Sequence, residues 1–274
     1  MNNKLKITFV GGGNMATALI GGLAGKLTAG SNIHVIDLNP GALQLLHQKY
    51  GVTTAERIDA AVAGSDVVVL AVKPQQIGSV IVDLAPHIST QLVLSIMAGI
   101  GMADLSRWLK GHQAIVRCMP NTPALIGQGI TGMVAMSGVS QAQHDAADAI
   151  MKAVGGTVWL DNETKIDAVT AVSGSGPAYV FYFIEAMQQA AQEMGLTADQ
   201  GRQLAVATFT GAAQLAAQSD EPISVLRERV TSKGGTTFAA LTSMEQDQVN
   251  DAIVRALKAA QARSKELGEE FGRN

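Results

Sequence analysis

Short apolar runs rich in β-branched residues alternate with segments of helical periodicity in the first half of the chain. The runs that predict strands are Leu5–Val10, Ile33–Ile36, Val67–Ala71, Leu92–Ile96 and Ala114–Cys118. The segments between them that predict helices lie near 40–50, 56–63, 75–84 and 102–110. This alternation is typical of a parallel sheet with right-handed crossovers and helices on both faces. We therefore predict an α/β fold with a doubly wound sheet.

Two further strand patterns, at 130–136 and 157–160, are expected to extend the edge of the sheet around a helix at 140–154. Beyond Asn162 the strand signal disappears. Helical patterns then take over, at 176–194, 197–217 and 247–270. Thr197 and Ser224 are the candidate residues for capping helix starts in this half.

The change from alternating strand and helix patterns to helix patterns alone marks a domain boundary. We assign residues 1–161 to the α/β domain and 162–274 to an all-helical domain. The helix at 176–194 has a broad apolar face that includes Tyr179, Phe183 and Met187. A helix this apolar has to be buried in a bundle core or between protomers, and we favour an interwoven homodimer.

Composition narrows the classes of partner and compartment. The 274 residues include 20 Lys and Arg and 23 Asp and Glu, and the basic residues form no run. This nearly balanced charge excludes nucleic acid as a partner and favours a small ligand. Cys118 is the single cysteine, so an internal disulfide is impossible, and we read it as a buried structural residue. No secretory pattern and no apolar run long enough for a membrane span occur. We expect a cytoplasmic protein with no membrane association.

A glycine-rich turn follows the first strand. The sequence Gly11-Gly12-Gly13-Asn14-Met15-Ala16 then opens a helix. In this context Gly11 permits a tight turn, Gly13 lets a pyrophosphate approach the backbone, and Ala16 lets helix and strand pack closely. The free N–H groups and the dipole of the helix favour an anion there. The sequence therefore predicts a Rossmann-type dinucleotide site that includes Asn14 and Met15.

Asp37 ends the second strand about twenty residues further on, where an acid bonds the adenosine ribose. The alternative is a solvated loop acid that caps the helix at 40–50. Electrostatic repulsion between this acid and a 2′-phosphate favours NAD over NADP. Asn39 is the nearby side chain that offers a phosphate a hydrogen bond.

Other loops follow strands whose carboxyl ends share one edge of the predicted sheet, the side on which such sheets bind ligands. They are Ala71-Val72-Lys73-Pro74, Met97-Ala98-Gly99 and Met119-Pro120-Asn121-Thr122-Pro123. Lys73 and Asn121 are the polar groups that we expect to meet the ribose and nicotinamide. The small Ala98-Gly99 pair would let the ring lie against backbone. The alternative is that all of these are ordinary turns.

Two hydroxyl-rich turns in the helical half precede predicted helices. They read Val172-Ser173-Gly174-Ser175-Gly176-Pro177 and Ser232-Lys233-Gly234-Gly235-Thr236-Thr237. Free N–H groups at such helix starts suit a substrate carboxylate. Simple helix caps are the alternative for both. The five histidines show no metal-ligand spacing, so no metal is expected.

These motifs together resemble the pyrroline-5-carboxylate reductase family across the whole chain, most specifically in the two hydroxyl-rich turns. The resemblance implies a Rossmann domain, a helical dimerisation domain, and dimers that assemble into a larger ring such as a decamer. It implies hydride transfer from NADPH or NADH to the cyclic imine L-1-pyrroline-5-carboxylate, giving L-proline, the last step of proline biosynthesis. By resemblance Thr237 is the catalytic hydroxyl that bonds the imine nitrogen. The substrate-binding residues are Ser232, Gly235, Thr236, Thr237 and Ser175.

This sequence departs from the family pattern at two positions. Lys233 replaces a proline that is common in relatives, and Asp37 stands where many relatives hold a small hydroxylated or basic residue and accept NADPH. A β-hydroxyacid dehydrogenase is one rival, but the segment after Gly174 contains no catalytic lysine. A non-catalytic nucleotide sensor is the other. Turnover of the imine with NADH or NADPH distinguishes the reductase from the sensor.

Overall fold

A computed structural model describes residues 5–272 and contains one eight-stranded sheet within them. Its strands are β1 (Ile7–Val10), β2 (Ile33–Ile36), β3 (Thr53–Ala55), β4 (Val67–Leu70), β5 (Leu92–Ser95), β6 (Ile115–Met119), β7 (Gly129–Ala135) and β8 (Gly155–Trp159). The strand order is β3-β2-β1-β4-β5-β6-β7-β8. Neighbouring strands are parallel except for the antiparallel pair of β6 and β7. The predicted doubly wound sheet is confirmed.

The helices follow the strands in the first part of the chain and then run consecutively. They are α1 (Asn14–Leu23), α2 (Pro40–Tyr50), α3 (Ile77–Leu84), α4 (Met102–Trp108), α5 (Gln141–Lys152), α6 (Ile166–Val169), α7 (Gly176–Glu193), α8 (Ala198–Ala217), α9 (Ile223–Arg229), α10 (Thr236–Gln246) and α11 (Val249–Gly272). None of the helices between Asn14 and Gly272 is both long and apolar enough to cross a bilayer.

Each face of the sheet has its own hydrophobic core. Phe9 of β1 and Val69 of β4 pack on one face with α1, α2 and α5. Val68 and Leu70 of β4 pack on the other face with α3 and α4. Successive side chains of a strand point to opposite faces, so buried strands apolar at every position require helices on both sides.

Two predicted features are wrong. The segment at 56–63 is not a helix. Only a short 3₁₀ turn forms there, at Val62–Gly64, because Val62 alone in that turn is buried and no apolar face exists to hold a longer helix. Ser224 is not a cap, since α9 begins at Ile223 after Pro222. Thr197 does cap α8, and it forms a reciprocal capping box with Gln200.

The chain divides into two compact units. One comprises the described residues up to Ser175 together with those from Ala260 onward, and the other is Gly176–Ala259. The final turns of α11 therefore belong with the sheet. There the hydroxyl of Ser264 donates to Asp167 at 2.7 Å, and Arg107 donates to the carbonyl of Gly272 at 2.9 Å. The change from strand to helix patterns near residue 161, on which the predicted division into 1–161 and 162–274 rests, gives no sign that the end of the chain packs with the first unit.

The unit Gly176–Ala259 exposes many large apolar side chains. In α7, Phe181 is 61% and Tyr182 is 72% exposed, and Ala191 is the one residue of this helix that is buried in the described chain. A helical face this apolar is unusual on a surface that remains in water.

Candidate functional site

The glycine turn between β1 and α1 has the geometry of a pyrophosphate cradle. Gly11 has a φ of +105°, and a Cβ there would lie 2.6 Å from the carbonyl oxygen of Ala71, so only glycine fits. A Cβ built on Gly13 would meet no described atom within 4 Å. Gly13 precedes α1, whose start receives no side-chain cap from residues 5–272. Because the first N–H groups of a helix have no intrahelical partner, the turn offers donors to an anion from an open side.

Asp37 ties the glycine turn to the end of β2. Its carboxylate accepts the N–H of Gly12 at 2.7 Å and the N–H of Asn39 at 2.8 Å. The side chain of Asn39 accepts the N–H of Ala42 and caps α2. The alternative interpretation of Asp37 as the cap of this helix is therefore wrong. Asp37 instead links the turn to the neighbouring strand.

A cleft of about 240 Å³ opens beside this carboxylate. Its walls include Asp37 and Val72, which the sequence predicted as cofactor contacts, and Arg57 and Ser79, which it did not. Arg57 follows β3, a strand too short for its period to be recognised. The cleft places a cation and a hydroxyl within reach of a ligand bound next to Asp37.

The predicted cofactor loops follow β4, β5 and β6, which are neighbours and parallel, so their carboxyl ends lie along one edge. Lys73 is exposed there. Gly99 is buried, and a Cβ on it would lie 3.3 Å from Leu267 and Phe271. The missing side chain of Gly99 therefore makes room for α11. The contact of the Ala98-Gly99 backbone with the cofactor stays a prediction.

Asn121 lies at the carboxyl end of β6 and is only 8% exposed. Its side-chain oxygen accepts the N–H of Ile130 at 3.0 Å, and its amide donates to the carbonyl of Ser173 at 3.1 Å. One N–H of the amide is left for a further acceptor. If Asn121 contacts the cofactor as predicted, the contact has to be made by this remaining N–H.

The first hydroxyl-rich turn is not the uncapped helix start that the sequence suggested. Residues Thr170–Gly174 form a π-helical turn that continues α6, and the N–H of Ser175 donates to the carbonyl of Thr170 at 2.8 Å. That N–H is consequently not free for a substrate carboxylate. Pro177 explains part of the irregularity, because its ring removes one N–H from the helical ladder.

The second hydroxyl-rich turn does open a helix. α10 begins at Thr236 after Gly235, and no side chain of the described chain caps it. Gly234 has a φ of +76°, and a Cβ on Gly235 would lie 2.6 Å from the hydroxyl oxygen of Ser232. Two glycines are therefore needed to bring this hydroxyl up to the N-terminus. Thr236 is exposed, whereas Thr237 is partly buried.

A buried ion pair that the sequence did not reveal joins β6 to the segment before α6. Arg117 donates to Glu163 at 2.8 Å, and the same carboxylate oxygen accepts the N–H of Met102 at the start of α4. The side chain of Arg117 is 9% exposed and that of Glu163 is 29% exposed. Strand periodicity gives no signal for such a pair, because its partners lie 46 residues apart.

Cys118 is buried in the part of the chain that the structure describes. Burial raises the pKa of the Cys118 thiol far above its ordinary value, so the nucleophilic thiolate is absent at neutral pH. No group of His, Cys, Asp and Glu in this part of the chain has the arrangement of a metal site.

Comparisons with known proteins agree with this architecture. The family described as pyrroline-5-carboxylate reductase dimerisation matches residues 163–267, and the family described as NADP oxidoreductase, coenzyme F420-dependent, matches residues 6–99. The pyrroline-5-carboxylate reductase of Pseudomonas aeruginosa is 45% identical over 97% of this chain and 98% of its own length. That of Pasteurella multocida is 41% identical over the same shares of the two chains.

Solved structures give the same result. The pyrroline-5-carboxylate reductase of Coxiella burnetii superimposes with a TM-score of 0.90 at 39% identity, over 97% of this chain and 99% of the other. The Plasmodium falciparum pyrroline carboxylate reductase with NADP bound has a TM-score of 0.86 at 28% identity, over the same shares. With the sheet, the glycine turn and the start of α10 all in place, this chain belongs to the pyrroline-5-carboxylate reductase family.

Proposed function

We propose that this protein reduces the cyclic imine L-1-pyrroline-5-carboxylate to L-proline with NADPH or NADH. The observation that carries the proposal is the uncapped start of α10, where glycine geometry gathers the hydroxyl of Ser232 beside free backbone N–H groups. Such a start binds a carboxylate through charge-assisted hydrogen bonds. The neighbouring hydroxyl of Thr237 is then available for the imine nitrogen.

The glycine turn and the loops at the carboxyl edge of the sheet would hold the dinucleotide. Gly13 fits this task because its open side admits a phosphate, and Asp37 presents a carboxylate to the adenosine ribose. When bound, the reduced nicotinamide supplies the hydride. The remaining candidate contacts in this region are Asn14, Met15, Asn39, Ala71, Val72, Lys73, Pro74, Ala98 and Gly99.

The chain then needs only to bind and orient the substrate. A protonated imine is already an electrophile, so no strong acid or base is required. The hydride adds to the imine carbon, the π electron pair moves to nitrogen, and the nitrogen keeps its proton. In this proposal Thr237 bonds the nitrogen and fixes the orientation of the ring. Ser232, Gly235, Thr236 and Ser175 hold the carboxylate.

The decisive assay follows the loss of absorbance of NADH or NADPH with pyrroline-5-carboxylate. We expect turnover in the wild type and a fall in kcat/KM of about 10- to 100-fold in Thr237→Val, the effect of one lost positioning hydrogen bond. Thr242→Val is the matched control. Its hydroxyl only bonds the carbonyl of Phe238 within the same helix, at 2.8 Å. No turnover in a folded wild type would favour a nucleotide sensor, and a Thr237→Val variant with wild-type kinetics would refute the role of Thr237.

The assembly and the compartment belong to the same proposal. Two copies pair through Gly176–Ala259, whose exposed Phe181 and Tyr182 are then buried, and the dimers join into a larger ring such as a decamer. Light scattering during size exclusion measures the mass directly. A monomer at micromolar concentration contradicts the pairing, and a dimer alone contradicts the ring. The buried free thiol of Cys118 suits a reducing compartment such as the cytoplasm.

A further inference from the structure

A bridge crosses from the end of β6 to the π-helical turn before α7. It consists of the side chain of Asn121, which accepts the N–H of Ile130 and donates to the carbonyl of Ser173. Because Asn121 is 8% exposed, water cannot readily replace either bond. The bridge therefore holds the turn in a fixed place against the strand end.

Pro177 makes this bridge necessary. In a regular helix the carbonyl of Ser173 would accept the N–H of residue 177, but proline has none. Asn121 supplies a replacement donor at 3.1 Å. The turn also lies close to β6 at Gly174, where a Cβ would lie 2.7 Å from the terminal methyl of Met119. The sequence thus removes one helical hydrogen bond and provides its substitute from 52 residues away.

The register of the turn depends on this contact. The N–H of Ser175 reaches back five residues to Thr170, which adds one residue relative to an α-helical turn. Relaxation to α-helical register would rotate Ser175 by about 100° relative to α6, since an α-helix has about 3.6 residues per turn. The hydroxyl of Ser175 would then point in a different direction from the one it has in the π-helical turn.

We propose that Asn121 is a positioning residue that holds the Thr170–Ser175 turn in π register and thereby aims Ser175 at the substrate. The role of Ser175 toward a substrate rests on the proposed function, but the contact of Asn121 with the turn does not. The inference differs from the predicted cofactor contact, because Asn121 acts here through Ser173 and touches no nucleotide. Loss of the amide should therefore affect the imine substrate and leave nucleotide binding intact.

Kinetics and nucleotide titration separate these two roles. In Asn121→Ala we expect kcat/KM for the imine to fall about tenfold or more, while the Kd for NADH, measured by fluorescence titration without substrate, changes less than about twofold. A Kd that rises in step with the loss of kcat/KM would overturn the inference in favour of direct cofactor contact. Asn162→Ala is the matched control, since this asparagine only accepts the N–H of Thr164 in an exposed turn.

The double variant provides the second test. The substitution Pro177→Ala restores an N–H at position 177, which reaches the carbonyl of Ser173 in α-helical register, so adding it to Asn121→Ala should leave kcat/KM as low as in Asn121→Ala alone. A double variant that regains the wild-type kcat/KM would contradict the proposed dependence of Ser175 on the π register.

Hydrogen exchange keeps the inference testable if the proposed function fails. The amide of Ser175 should exchange about 10- to 100-fold faster in Asn121→Ala than in the wild type, because its bond to Thr170 is no longer held in place. Unchanged exchange would overturn the positioning role whatever the enzyme reduces. Faster exchange in a protein without imine turnover would refute the function and leave the structural link standing.

Discussion

Replacing Glu163 by alanine should destabilise the protein strongly, because it leaves the guanidinium of Arg117 buried without its partner. That side chain is 9% exposed, and its Nε already lacks a hydrogen-bond acceptor among the described residues. Breaking a buried ion pair from one side costs about 3–5 kcal/mol. Glu163 is 29% exposed, so water enters part of the vacated space and the lower end applies. We expect a loss of about 3 kcal/mol in the free energy of unfolding.

Thermal unfolding at fixed protein concentration and without nucleotide measures this loss. For a chain of this size, about 3 kcal/mol corresponds to a fall in Tm of roughly 6–12 °C. Glu163→Gln keeps an acceptor for the N–H of Met102, which lies 2.8 Å from the carboxylate, so its fall should be smaller. The Arg117→Met, Glu163→Met double variant removes both charges and should recover most of the stability. A Glu163→Ala protein that melts within about 1–2 °C of the wild type, or a double variant no better than the single one, would refute this reasoning.

Three further predictions concern the nucleotide site and the cysteine. Asp37→Ser removes a charge that repels a 2′-phosphate, so the ratio of kcat/KM for NADPH to that for NADH should rise about tenfold. An unchanged ratio would contradict the electrostatic argument. Gly11→Ala forces a Cβ to 2.6 Å from the carbonyl oxygen of Ala71 at a φ of +105°, so the Kd for NADH should rise at least about tenfold. Gly25→Ala, at a φ of +76° with no described atom within 4 Å, controls for backbone strain alone. Burial and the raised pKa of Cys118 predict that an alkylating reagent labels this thiol only after denaturation. Rapid labelling of the folded protein, followed by mass spectrometry, would show otherwise.

Local signals in the sequence were sufficient for the glycine turn and for several helix starts. Gly11 and Gly13 stand between a strand pattern and a helix pattern, and the backbone conformations they permit are intrinsic to glycine. Thr197 forms its capping box with a residue three positions away, so the whole motif lies in one short segment. The start of α10 is likewise set by neighbours, since Ser232 and Gly235 pack directly on each other.

The sequence did not predict how the turn before α7 would be built. A pattern of serine and glycine predicts a loop or an uncapped helix start equally well, and nothing within a few residues of Pro177 shows where the carbonyl of Ser173 finds its donor. That donor, Asn121, belongs to the end of a strand and approaches only after the sheet has formed. A local sequence pattern carries information only about residues that are near in the chain, so it cannot predict contacts between residues that are dozens of positions apart.

The sequence by itself determined most of the strands and long helices, the glycine turn and the start of α10, because these depend on side-chain periodicity and on backbone preferences of single residues. It missed the short strand β3 and predicted a helix at 56–63 that does not form. Only the tertiary structure decided that β7 runs antiparallel to β6, that Glu163 pairs with Arg117, and that α11 returns to pack on Gly99. Each of these brings together segments that are distant along the chain. Their energies come from burial and from satisfied polar groups, and these exist only once the sheet and its helices have assembled.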